Sequence, residues 1–453
     1  MGMIQTFKQA WRIPEMRRKL IFTLIVMVIF RLGSNIPVPG VDHTVLEQMF
    51  NANDAGLFGL FDMFTGGSFS QFTIFALGIG PYITASIVLQ LLTVAIPALE
   101  ELAKQGEEGR KKINKITRYV GIGLALVQAI GYTFGLFNGV LTDCTTADKI
   151  AIVLTLTAGS AFCMWLGEQI DQKGIGNGIS LLIFAGIVSR IPTMLTNLFT
   201  YLVKGNEQTA YLPSQDGSVV PVVINTAPAL GWRILITVLL IVFAIAVVVG
   251  IILITEGTRK VPVQYAKRVV GRKMYGGQSS HIPMKVNQAG VIPVIFAVSL
   301  LQIPMTIAYM TGRESGFYNF VYKYLSAQGN PGAWIYFVFN ILLIIAFTYF
   351  YGQISFNPTE IADNLKNNGG FVPGIRPGKP TVEYVKKIAS RLTIVSAIFL
   401  AIVASIPTLI SRFTGLSTGF GGTSLIIAIG VALDTQRAIE TQLVMRNYSG
   451  FLK

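Results

Sequence analysis

The chain has 453 residues, 52% of them hydrophobic and 13% charged, a formal net charge of +14 and a mean hydropathy of +0.59. Soluble domains carry about a quarter charged residues, so this composition excludes a soluble globular protein and points to a polytopic membrane protein with a basic surplus. Two cysteines, Cys144 and Cys163, and two histidines, His43 and His281, leave no metal cluster to expect.

Apolar runs of roughly 17 to 25 residues match a ~30 Å hydrocarbon core. In chain order they fall at about Leu20 to Ile36, Phe72 to Ile96, Tyr119 to Leu136, Ala151 to Ile170, Ile179 to Leu198, Trp232 to Ile254, Gly290 to Tyr309, Trp334 to Ile354 and Leu392 to Ile410. A tenth segment, Thr423 to Leu443, is interrupted by Asp434, Arg437 and Glu440 but keeps a helical apolar period through Leu425, Ile426, Ile429, Leu433 and Ile439,. Span 1 begins like a signal peptide, yet no small-residue cleavage site follows, so a retained anchor is expected.

Cytoplasmic loops retain positive charge. With the N-terminus inside and ten alternating spans, inner segments collect 28 of the 36 basic residues, and outer ones keep Arg31, Lys149, Arg190, Lys204, Arg233, Arg313, Lys323 and Arg412. Both termini are therefore expected to be cytoplasmic.

The pattern GxxPxIxAxxxLQ occurs twice, at Gly78 to Gln90 and Gly290 to Gln302, with six identities in thirteen positions. The copies lie 212 residues apart, in spans 2 and 7, which run in opposite directions on this topology. An odd offset of five spans is what two inverted five-helix halves require. The expected division is an N-terminal half, 1–204, an outer joining loop, 205–230, and a C-terminal half, 231–453, with large basic inner loops at 255–288 and 355–391.

Inverted repeats occur in transporters and channels alike. Ionisable groups at mid-span usually mark ion or proton pathways, but Glu168, Asp171, Glu256, Asp434 and Glu440 sit toward inner ends, and Arg31 and Arg190 toward outer ends. What the spans carry instead is branched apolar residues at helical spacing: Ile79 with Ile83, Ile179 with Ile183, and Ile295 as the repeat counterpart of Ile83,. Lipid-facing or simply packed isoleucine is the plain reading. A constriction that excludes ions by dewetting is the functional one.

Between spans 1 and 2, DAGLFGLFDMFTGGSFSQF (Asp54 to Phe72) is rich in Phe and Leu but too short to cross. It fits a re-entrant stopper enclosed by protein or an aromatic segment lying at the headgroups. GIRPGK, in the second inner loop, is one residue short of a P-loop and follows no strand pattern,. The chain supplies no engine of its own, so any work it does is driven by partners or the membrane potential.

Five strings carry a family resemblance: MFTGGSFSQFTIFALGIGPYITASIVLQLLT (Met63 to Thr93), GEQIDQKGIGNGIS (Gly167 to Ser180), YAKRVVGRKMYGGQSSHIPMKVNQAGVIPVIF (Tyr265 to Phe296), FNPTEIADNLKNNGGFVPGIRPGKPT (Phe356 to Thr381) and FGGTSL (Phe420 to Leu425). They fall in order across nearly the whole chain, which resembles the SecY subunit of the protein-conducting translocon.

The resemblance implies an all-α fold of ten transmembrane helices in two inverted halves around an hourglass pore. Such a pore opens across the membrane for secreted polypeptides and sideways, beside spans 2 and 7, for membrane helices. It implies a pore ring of Ile79, Ile83, Ile179, Ile183, Ile295 and Ile427, and a plug of Leu57, Phe58, Leu60, Phe61, Met63, Phe64, Gly66 and Gly67. The lateral gate would be Thr84, Gln128, Asn287 and Ile303, where interhelical hydrogen bonds of about 0.6–2 kcal/mol are weak enough for a signal sequence to displace,.

An electropositive loop tip of Lys267, Arg268, Arg272 and Lys273, with Arg376 and Lys379, would dock the ribosome through RNA phosphates, and also the SecA ATPase,. Small SecE and SecG type membrane subunits, secretory precursors with their signal peptides, and lipid complete the implied partners. No Ser/Arg-rich transit segment is seen, which favours a bacterial plasma membrane. An inverted-repeat secondary transporter or lipid scramblase is the alternative.

Overall fold

The computed structural model describes residues 3–41, 62, 65–137, 141, 144–204, 207–213, 219–225, 230–265, 268–270, 273–275, 279–311, 315–326, 332–414 and 422–450. A helix stands on each of the ten segments marked by hydropathy. The N-terminal half contributes a short amphipathic helix α1 (Met3–Arg12), then α2 (Pro14–Gly33), α3 (Gly80–Ala95), α4 (Pro97–Lys104), α5 (Glu107–Gly131), α6 (Thr146–Lys173) and α7 (Gly178–Lys204). The C-terminal half contributes α8 (Leu230–Glu256), α9 (Ile292–Met310), α10 (Gly316–Leu325), α11 (Gly332–Ser355), α12 (Pro358–Asn367), α13 (Lys379–Thr414) and α14 (Gly422–Gly450).

By length and composition five of these, α6, α7, α8, α11 and α13, can each cross a membrane unaided. Span 2 differs from its expected outline. Its apolar run reads from Phe72 to Ile96, but helix α3 covers only 16 residues, about 24 Å at 1.5 Å per residue. The preceding stretch 65–79 is a chain of turns buried inside the protein. At the other end Ile96 is extended (φ −109, ψ 114) because Pro97 follows,, and α4 turns away by 100°.

The repeat motif is a helix-start device. Gly78 (φ 51) and Gly290 (φ 66) both lie in the left-handed region that only glycine adopts freely,. In each copy the helix begins two residues later, and Pro81 and Pro293 occupy its first turn, where the missing N–H costs nothing,.

Helix packing repeats between the halves. In the first half α2 touches α6 and α7, α3 touches α5, α5 touches α6 and α6 touches α7. The counterparts recur in the second: α8 touches α14, α9 touches α11, α11 touches α13 and α13 touches α14. The remaining counterpart, α8 on α13, is seen where Gly250 abuts the Phe399 ring. The halves join at α7 against α8 and α14, and they meet again where α9 lies on α3 and α5. The second meeting is a seam between spans 2 and 3 and span 7.

Among the described residues, strands form in the segments that join the helices. The outer joining segment forms an antiparallel hairpin of β1 (Glu207–Pro213) and β2 (Val219–Asn225). In the first inner loop β3 (Thr258–Tyr265) pairs with β6 (Ser279–Lys285), and β4 (Arg268–Val270) pairs with β5 (Lys273–Tyr275). The second inner loop adds β7 (Gly370–Phe371) to the edge of β3. The two basic loops thus share one sheet, with Val261, Val263, Met284, Leu365, Val372, Val385 and Ala389 as its apolar floor. The last two come from the polar first third of α13, which explains why that helix runs to 36 residues, well beyond its apolar part.

Candidate functional site: the seam between the halves

The six isoleucines that sequence singled out belong to one apolar cluster drawn from both halves. Ile79, Ile183, Ile295 and Ile427 are buried in it, and Ile83 and Ile179 pack against it half-buried. Helical spacing achieves this: Ile83 follows Ile79 by one turn on α3, and Ile183 follows Ile179 on α7,.

A cavity of about 40 Å³ lies in the seam, lined by Thr65, Leu77, Ile79, Gly80, Ile83, Thr84, Gln128 and Ile183 of the first half and by Ile295, Ser299, Gln302, Ile303 and Thr306 of the second. That volume holds a few water molecules and is too small for a polypeptide. Ile179 and Ile427 stand in the cluster but not on the cavity wall.

Of the four residues expected to gate the seam, Thr84, Gln128 and Ile303 share that wall. Asn287 does not. It precedes α9, and its Nδ2 donates to the Gly290 carbonyl at 3.1 Å, which ties off the turn before the helix. The interhelical hydrogen bond expected of Thr84 is also not made: its hydroxyl donates to the Gly80 carbonyl of its own helix at 3.2 Å. A threonine at mid-helix has that carbonyl within reach at all times, and a partner across a seam only when the seam is tight.

The expected plug is partly placed. Leu57, Phe58, Leu60, Phe61, Met63 and Phe64 lie outside the described residues, while Gly66 and Gly67 belong to the turns that follow. Those turns are buried: Phe69 and Phe72 pack edge-on or tilted against Phe137, and Phe69 against Tyr132. For the described part, burial decides in favour of a segment enclosed by protein and against one lying at the headgroups.

Sequence reading missed what holds this segment. The Asp62 carboxylate accepts from the Ser70 N–H at 2.8 Å and forms an ion pair with Arg190 of α7. Arg31 of α2 donates to the Gly66 carbonyl at 2.7 Å. Both arginines had registered only as outer-side charge, and their pairing needs distances that sequence does not carry. Gln90 and Gln302, the last letters of the two motif copies, were likewise given no role. Two amides at equivalent places in otherwise apolar helices were the available signal.

The basic tip divides in the same way. Arg376 and Lys379 are exposed, and the Arg376 carbonyl accepts from Thr381 Oγ1 at 2.9 Å. Arg268 and Lys273 start β4 and β5, whereas Lys267 and Arg272 lie outside the described residues.

A SecY family model matches residues 73–436. Among curated proteins, the protein translocase subunit SecY of Halalkalibacterium halodurans is 44% identical over 100% of both chains, and that of Mycobacterium tuberculosis is 42% identical, again over 100% of each. The chain belongs to the SecY family. Solved structures agree at the level of fold. A protein conducting channel covers 94% of this chain and 93% of its own at TM-score 0.60 and 20% identity. Sec61 in the canine ribosome-channel complex covers 94% and 93% at TM-score 0.56 and 19% identity. A SecY structure whose plug domain stabilises the closed state scores 0.60, with 94% and 92% covered. This SecY-family chain is therefore a multi-pass membrane protein of channel fold, and the transporter and scramblase alternative is disfavoured.

Proposed function

We propose that this chain forms the passive channel of a bacterial protein translocase, conducting unfolded secretory polypeptides across the plasma membrane and releasing transmembrane helices sideways into lipid. One observation carries the reading: six isoleucines from both halves belong to a single apolar cluster, at a seam whose cavity of about 40 Å³ is too small for a chain. Branched side chains shut out ions by dewetting, yet give way around a polypeptide because no covalent or ionic bond holds them together. The seam between α3, α5 and α9 is the lateral exit, and the segment through Gly66 and Gly67 is the plug.

The division into halves at 1–204 and 231–453, with ten crossings and both termini cytoplasmic, rests on charge placement and on the repeated packing pattern. The common sheet of the two inner loops supports a docking role for Arg268, Lys273, Arg376 and Lys379, together with Lys267 and Arg272. A folded base holds a basic tip at a fixed place, which suits phosphate-rich RNA and a motor ATPase of the SecA type. Small SecE and SecG type subunits would complete the complex.

The test is reconstitution of the full chain with those subunits and SecA in phosphatidylethanolamine–phosphatidylglycerol vesicles. ATP-dependent protection of a secretory precursor from protease is expected. Solute uptake without protection would reverse the conclusion.

A further inference from the structure

We infer that two tyrosines, one from the third helix of each half, clasp the seam at its two ends and set the threshold at which it parts; this rests on the seam being the lateral exit. At one end Tyr351 of α11 donates its hydroxyl to Oε1 of Gln90 on α3 in the other half. Gln90 is held for the purpose, because its Nε2 donates to Ser86 Oγ one turn back at 3.0 Å. The Tyr351 ring is fixed too: it meets Phe296 of α9 edge-on at 5.3 Å, and Phe296 meets Phe347 edge-on at 5.9 Å. Its ring is anchored in one half and its hydroxyl in the other.

At the opposite end Tyr132, directly after α5, is buried with its hydroxyl against Thr306 of α9. The approach there is close, since a Cβ on Gly131 would fall 2.2 Å from Met310 Cγ. Thr306 stands one turn beyond Gln302, the motif counterpart of Gln90, and donates to its backbone carbonyl at 3.0 Å. Spans 3 and 8 are counterparts, as are spans 2 and 7. Each half thus sends a tyrosine from the end of its third helix to a polar residue on the second helix of the other.

The two ends are not equal. Gln90 is bonded through both its oxygen and its nitrogen, whereas the Nε2 of Gln302 is buried without a hydrogen-bond partner. The clasp at Gln90, made by a hydrogen bond between the halves, sets the threshold.

These are positioning residues, and the readout is the apolarity a reporter helix needs to leave the reconstituted channel for lipid. Tyr351→Phe keeps the ring on Phe296 and removes only the hydroxyl, and Gln90→Leu removes its acceptor. Each should raise release of a threshold reporter by about three- to thirty-fold, the value of one interhelical hydrogen bond in a membrane. Gln90→Leu should add nothing in the Tyr351→Phe background, a non-additivity that general loosening of the fold would not produce. Tyr132→Phe should act in the same direction and less.

A second arm separates this from the seam itself. In a background with Cys144→Ser and Cys163→Ala, Gln90→Cys and Tyr351→Cys are bridged by a short bis-maleimide. If bridging blocks release while Tyr351→Phe leaves the threshold unchanged, the clasp is overturned and the seam stands. If the bridged channel still releases helices, the lateral exit lies elsewhere and both fall.

Discussion

The anchoring of the segment before span 2 offers the sharpest test of the closed state. Replacing Arg190 by Gln leaves the Asp62 carboxylate, 12% exposed, with the Ser70 N–H but without its cation. Breaking a fully buried ion pair on one side costs about 3–5 kcal/mol. Arg190 keeps 25% of its side chain exposed, so screening brings the expected cost down to about 2–3 kcal/mol. If that energy holds the plug segment in place, the ratio of displaced to seated forms rises by roughly 30- to 150-fold. Resting ion conductance of the reconstituted channel in a planar bilayer should rise with it. Asp62→Asn should act in the same direction, and the double variant should cost less than the two singles together, because neither charge is then left alone. The Arg31 bond to the Gly66 carbonyl persists in all three. Parental conductance in a folded Arg190→Gln channel would refute the reasoning, since the segment would then be seated by packing alone.

Three further outcomes follow from the same geometry. Ile83→Asn together with Ile295→Asn places two amides on opposite walls of the cavity, and single-channel recording should show it wetted and leaking ions at rest, with thermal stability lowered by about 2–5 kcal/mol or less because Ile83 is only half-buried. Charge reversal at the exposed pair Arg376→Glu and Lys379→Glu should abolish ribosome or SecA co-sedimentation and slow translocation, while circular dichroism and resting conductance stay parental. Gly159→Ala should fail to accumulate in membranes, because its Cβ would fall 1.9 Å from the Ile74 carbonyl and backbone on both sides must move.

How much of this was legible in the sequence depends on what each feature needs. Helix positions were readable wherever apolar length and charge placement coincide, as at Trp232 to Ile254, which became Leu230–Glu256. Span 2 was misread at its start because hydropathy sees composition and not dihedral angles: Phe72 (φ 46) and Gly78 (φ 51) turn the chain, whereas its end at Ile96 was legible before Pro97. The isoleucine cluster was legible because its spacing is local to each helix. The strands were not. β3 has an alternating burial pattern, but it pairs with β7 a hundred residues away, and nothing in either segment names the other. Asn287 stands off the cavity wall for a related reason: its bond to Gly290 is set by the turn that the motif glycine makes.

That turn also explains why the repeat survives as a pattern of glycine, proline, isoleucine, alanine and glutamine, when any apolar helix would satisfy the membrane. Glycine ends the preceding segment, and proline starts the helix within the protein interior, so each copy brings a helix start next to the shared cavity. Ile83 and Ile295 then fall one turn or less inside that start, on opposite sides of one cavity. Alanine at the next turn, Ala85 and Ala297, is fully buried in both copies, which keeps the helices close. Glutamine ends each copy with a group able to bond across the seam. On the opposed directions that charge placement predicts for spans 2 and 7, a single thirteen-residue pattern thus supplies one wall of the same cavity from each half.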